Sequence, residues 1–143
     1  MMITVEAVVN NLSKVLSWVD SALEEHDCPM RTQMEIDLAV EELFVNICHY
    51  AYGSEVGHAD IVMNFAEDPE IVQITLIDSG IPFNPLSNED PDITLPAEQR
   101  NIGGLGILMV KKSMDEVRYH YSEGKNHISI RKRLFNSSVT HKS

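Results

Sequence analysis

Apolar residues recur at helical spacing in the N-terminal part of this chain and at alternate positions further on, which restricts the fold to helices packed against a sheet. From Ala7 to Glu25 the positions Val8, Leu12, Val15, Leu16, Val19 and Leu23 mark one face of an amphipathic helix, a stripe expected to be core or a dimer face. His26, Asp27, Cys28 and Pro29 break it, because the residue before a proline is pushed out of the helical region. A second helix is expected from about Arg31 to Tyr52, ending near Gly53. It is apolar nearly all round between Leu38 and Cys48, so it should be covered on most sides.

Four strands follow from period-two alternation. Ile61, Met63 and Phe65 define the first and Val72, Ile74 and Leu76 the second, with a turn at Asp68, Pro69 and Glu70. Val117, Tyr119 and Tyr121 alternate with Arg118 and His120 on the third. Ile128, Ile130 and Leu134 alternate with Ser129, Arg131 and Arg133 on the fourth, after a turn at Glu123, Gly124, Lys125 and Asn126. The last two have one apolar and one polar face, as in a sheet covered by helices on one side. The expected architecture is a two-layer α/β sandwich with a mixed, mainly antiparallel sheet. Ile3 to Val5 is too short to classify.

The chain has 143 residues, 43% of them hydrophobic and 23% charged, the proportions of a single globular domain, expected over 1–135 with a flexible tail at 136–143. The net charge of -11 argues against nucleic acid and anionic lipid as partners. Cys28 and Cys48 form no CxxC pair, and no apolar run reaches membrane-spanning length, so a cytoplasmic protein is expected. Between the second and third strands, Asp78 to Gly106 holds four of the six prolines and four of the seven glycines, and a connection that long in a small domain is often a functional lid. A helix from about Gly104 to Met114 closes it.

Three constellations could carry chemistry. Glu42 and Asn46 are four apart on the second helix, in line with Leu38, and polar groups on a covered face need a partner. They either bond within the protein, or serve as a hydroxyl-activating carboxylate and a neutral oxygen ligand for Mg²⁺ among phosphate oxygens. Asp78, Ser79 and Gly80 end an apolar strand, either as an ordinary turn or as an acceptor for an exocyclic amine beside a glycine that lets a flat ring approach. Gly103, Gly104 and Gly106 lead into a helix whose N-terminus suits phosphate, or act as a plain hinge. The spacing fits neither a Rossmann fingerprint nor a P-loop.

In their order along the chain, these motifs resemble the GHKL superfamily, the Bergerat ATP-binding fold of gyrase, histidine kinases and MutL, and within it the small bacterial anti-sigma-factor serine/threonine kinases. EELFVNICHYAY (Glu41 to Tyr52), DSGIPFNP (Asp78 to Pro85) and GGLGILMVKKSMDEV (Gly103 to Val117) carry the resemblance. It implies that Glu42 is the catalytic glutamate and Asn46 the Mg²⁺-binding asparagine. Asp78 would recognise the adenine amine, with Gly80 admitting the ring. Gly103, Gly104 and Gly106 would close on the phosphates below a mobile lid from Asn84 to Ile102, and Ser129 would place a small hydroxyl near adenine. Asn84 departs from the aspartate, and Tyr50 from the histidine, that many relatives carry. The implied activity is ATP- and Mg²⁺-dependent phosphorylation of an anti-sigma factor antagonist together with sequestration of a sigma factor, homodimer formation being allowed. The alternative is an ATP-binding switch without efficient phosphotransfer.

Overall fold

A computed structural model of the chain describes residues 1–65, 68–87 and 104–135. Strand β1 (Met2–Glu6) leads through a single 3-10 turn at Val9–Asn11 into α1 (Leu12–Glu25) and α2 (Met30–Tyr50). Then come β2 (His58–Asn64), β3 (Ile71–Asp78), α3 (Gly104–Ser113), β4 (Glu116–Ser122) and β5 (Lys125–Arg133). The strands form one sheet in the order β1-β2-β3-β5-β4, and each of its pairings is antiparallel.

Local chemistry sets the turns. Between β2 and β3, the Glu70 N–H donates to Asp68 Oδ1 at 2.9 Å and the Ile71 N–H to the Asp68 carbonyl at 2.9 Å. Between β4 and β5, Glu123 and Gly124 have φ of 52° and 78°, the two left-handed residues that a tight hairpin requires to match strand twist.

One sheet face is apolar and covered. Val5, Ala59, Ile61, Met63, Ile74, Leu76, Ile128 and Ile130 point to the helices and pack with Val15, Val19 and Leu23 of α1 and Ile36, Val40, Leu43, Phe44 and Ile47 of α2. The other face is polar. Across it Thr4 donates to Asp60, Thr75 and Ser129 share a hydrogen bond at 2.8 Å, Arg131 donates to Gln73, and the His120 and His127 rings stack at 4.4 Å.

The structure departs from the sequence reading at both long helices. The helix expected from Ala7 starts at Leu12, because Val8 is extended and its apolar side chain joins the helical stripe only by coincidence of spacing. The stripe itself is core, with Val15 and Val19 fully buried. The second helix is covered over most of Leu38 to Cys48, but Leu38 itself is 65% exposed and continues an open stripe with Met34 and Met30, on the side that α1, α3 and the sheet leave uncovered. Of the expected lid, only 84–87 lie within the described residues; 88–102, Gly103 and the tail 136–143 lie outside them.

Helix α3 runs antiparallel to α2. Near its start Gly106 abuts the Glu42 side chain, and near its end Lys132 donates to the Ser113 carbonyl at 2.6 Å while pairing with Glu35 on α2 at 3.7 Å. Among the described residues no helix is long and apolar enough to cross a membrane.

Candidate functional site

A cleft opens between the C-terminal half of α2 and the ends of β3, β4 and β5. Its walls are mostly apolar, from Leu43, Ile47, Ile81, Phe83 and Ile128, and its polar atoms come from Asn46, Asp78, Tyr119 and Asn126. Few, placed polar groups on an apolar surface are the signature of a small-molecule site.

Asp78 ends β3 on the covered face and is 6% exposed. A carboxylate so buried must be hydrogen-bonded. Its Oδ1 accepts from the Gly80 N–H at 2.9 Å and from Asn126 Nδ2 at 2.9 Å. Among the described residues no donor reaches Oδ2, which leaves that oxygen as the acceptor Asp78 can offer to a ligand. The loop after it is pinned on both sides. Tyr52 Oη accepts the Ser79 N–H at 2.8 Å and donates to the His58 carbonyl, while the Ile81 N–H bonds the Ala51 carbonyl at 3.0 Å. Tyr52 titrates above the ordinary phenol range, chiefly through burial.

Gly80 has a steric reason that sequence reasoning did not supply. A Cβ there would overlap the Ala51 backbone, so glycine is what lets the loop close on the end of α2, and Gly80 itself is not part of the cleft wall.

Asn46 lines the same cleft from α2, and Glu42 lies one turn before it on the same line. Glu42 is half-buried, with its carboxylate against Gly106, and no Cβ fits between them. Burial, followed by repulsion from the exposed Glu41, raises the Glu42 pKa above the ordinary carboxylate range. The first turn of α3 therefore starts beside the carboxylate, and a helix N-terminus is where backbone N–H groups attract phosphate. Gly104 opens that turn; Gly103 lies outside the described residues.

Ser129 is not part of this assembly. It pairs with Thr75 on the polar face of the sheet, while Asp78 and its partner Asn126, three residues away on each strand, face the helices. Side chains an odd number of residues apart on a strand point to opposite faces, so Ser129 cannot reach a ring lying against Asp78. Asn126 takes the place beside Asp78, and the sequence reading had assigned it to a turn. The signal was present: counting back by two from Ile130 and Ile128 arrives at Asn126 on the apolar face.

Asn46 fits a magnesium ligand by the chemistry of its donor, a neutral hard oxygen at the edge of the cleft, and Asp78 fits an exocyclic amine by its unpartnered oxygen. Asn84 accepts the Leu86 N–H at 2.9 Å and so caps its own turn.

Residues 5–132 match the family described as histidine kinase-like ATPase domain. The chain is 28% identical over 95 residues to the serine-protein kinase RsbW of Listeria monocytogenes serovar 1/2a and 27% identical to that of Listeria innocua serovar 6a. Each match covers 63% of this chain and 59% of the relative, so less than two thirds of the relatives' length is matched. A crystal structure of the RsbU and RsbW domains of Rv1364c from Mycobacterium tuberculosis superposes with a TM-score of 0.63 at 17% identity, covering 94% of this chain and 32% of that one. The Erythrobacter litoralis EL346 blue-light activated histidine kinase gives 0.59 at 17% identity, over 79% of this chain and 34% of that one. At these identities the structural likeness is one of fold.

Proposed function

The chain belongs to the histidine kinase-like ATPase domain family, and on that footing we propose that it is an ATP- and Mg²⁺-dependent serine/threonine protein kinase of the anti-sigma-factor type. Its acceptor is an anti-sigma factor antagonist, its second partner a sigma factor, and its place of action the cytoplasm. The observation that supports this reading most is the meeting of Asn46 and Asp78 in one apolar cleft, with Glu42 one helical turn away.

Each residue has a distinct task. Asp78 Oδ2 accepts the 6-amino hydrogen of adenine, and Leu43, Ile47, Ile81 and Ile128 enclose the ring. Asn46 would hold Mg²⁺, which neutralises phosphate charge when bound. Backbone N–H groups at Gly104–Gly106 add positive dipole where the terminal phosphates lie. The acceptor hydroxyl attacks the γ-phosphorus, the bond to the bridging oxygen breaks, ADP leaves, and the hydroxyl proton passes to the Glu42 carboxylate. Phosphoryl transfer demands mostly positioning and charge neutralisation, which a domain this small can provide. The raised affinity of Glu42 for a proton is the direction that suits a general base.

The test is incubation with γ-labelled ATP, Mg²⁺ and a candidate antagonist protein, comparing the wild type with Glu42→Gln. Label on the antagonist that disappears in the variant, with ATP binding kept, supports the kinase. Tight ATP binding with no transfer to any antagonist would instead favour a nucleotide-controlled switch.

A further inference from the structure

Asn126, at 5% exposure, uses every hydrogen-bonding valence of its side chain within the protein. Nδ2 donates to Asp78 Oδ1 at 2.9 Å and to the Ile81 carbonyl at 2.9 Å. Oδ1 accepts from the Phe83 N–H at 3.1 Å and from the Tyr119 hydroxyl. Two acceptors face one end and two donors the other, so only this orientation of the amide satisfies all four partners.

Two consequences follow. Asn126 has neither a donor nor an acceptor left for a ligand, although it lines the cleft. It also supplies, with the Gly80 N–H, the second donor to Asp78 Oδ1, so that this oxygen is held as an acceptor. Asp78 then faces the cleft as an acceptor only. A ligand must bring an N–H to it, and a 6-oxo purine brings a carbonyl oxygen instead.

We propose that Asn126 is a positioning residue that sets purine selectivity, fixing Asp78 as an acceptor-only group and anchoring the Ile81–Phe83 wall so that 6-amino purines are chosen over 6-oxo purines. This rests on the nucleotide-binding reading above and names the feature that makes that site read adenine.

The test is equilibrium binding of ATP, ITP and the 6-unsubstituted purine ribonucleoside triphosphate to the full chain. In the wild type ATP should bind roughly 10- to 100-fold more tightly than either analogue, the loss expected for a hydrogen bond to a buried charged group. Asn126→Asp keeps the shape and removes both donors. The second carboxylate favours a proton on Asp78, and from Oδ2 that proton can be donated to a 6-oxo group, so the ATP-to-ITP ratio should fall to within about threefold and become pH-dependent. Ser129→Ala, on the same strand but on the polar face, should leave both affinity and ratio as in the wild type. A folded Asn126→Asp with the wild-type ratio at every pH overturns the proposal. So does a wild type that binds all three nucleotides equally, whether or not the variant folds. A wild type that binds none of them overturns the nucleotide reading itself and this inference with it.

Discussion

Replacing Asp37 by asparagine should stabilise the protein at pH 8 and leave its stability unchanged near pH 4. Asp37 on α2 is hydrogen-bonded to Asp20 on α1, and Glu24 and Glu41 add negative charge around the pair. One oxygen of each aspartate, Oδ1, is buried with no partner. Burial first, then the Asp20 hydrogen bond and the surrounding carboxylates, push the Asp37 pKa from 3.8 up to about 8. The folded state therefore binds more protons than the unfolded one between these values, so stability present at low pH is lost as pH rises through the window. A shift of about 4 units sets a ceiling of about 6 kcal/mol, and solvent screening at this half-buried site reduces it to about 1–3 kcal/mol. An amide at position 37 can still donate to Asp20 and carries no charge to repel. For a chain this long, that difference raises the melting temperature by roughly 3–8 °C at pH 8. Thermal denaturation by circular dichroism at half-unit steps from pH 4 to 9 checks it. An increment that is the same at every pH, or a variant no more stable than the wild type at pH 8, would refute the linkage.

Three further outcomes follow from the site. Asn46→Ala should weaken Mg²⁺-ATP binding about tenfold or more and metal-free ADP binding far less, because it deletes a metal ligand and leaves the Asp78 end intact; calorimetric titration with both ligands separates these, and equal losses would count against the assignment. Gly80→Ala and Gly106→Ala should part company. The first drives a Cβ into the Ala51 backbone and should cost about 1–3 kcal/mol, whereas the second meets only the movable Glu42 carboxylate and should leave the melting temperature unchanged while lowering γ-phosphate transfer. The pH profile of transfer should have an acid limb set by Glu42, falling as pH drops through its raised pKa, and Glu42→Gln should remove that limb together with the activity.

The elements that could be read from the sequence were those whose apolar spacing is unambiguous. Val15, Val19 and Leu23 mark α1, and Val72, Ile74 and Leu76 mark β3, because each set is long enough to repeat and each is buried. Strand β1 has five residues and gains its identity only by pairing with β2, a long-range contact that no local pattern carries. Along the apolar run on α2 only Leu38 is an apolar side chain left exposed, since a leucine on a helix reports hydrophobicity and not what covers it.

The site shows the same division. The strand alternation put Ser129 with Arg131 and Arg133 on the polar face, and the structure follows the alternation rather than the family likeness that drew Ser129 toward adenine. Asn126 escaped notice because a polar residue next to Gly124 and Lys125 looks like the end of a turn. Its partner Asp78 lies 48 residues away, so the bond between them is invisible until the sheet is assembled.

Isothermal titration of the chain with ATP, with and without Mg²⁺, in the wild type and in Asp78→Asn, bears most directly on the cleft. Binding to the wild type that magnesium tightens, and that Asp78→Asn abolishes in a still-folded protein, is the result expected. Absence of binding, or binding indifferent to both the metal and Asp78, would contradict the account.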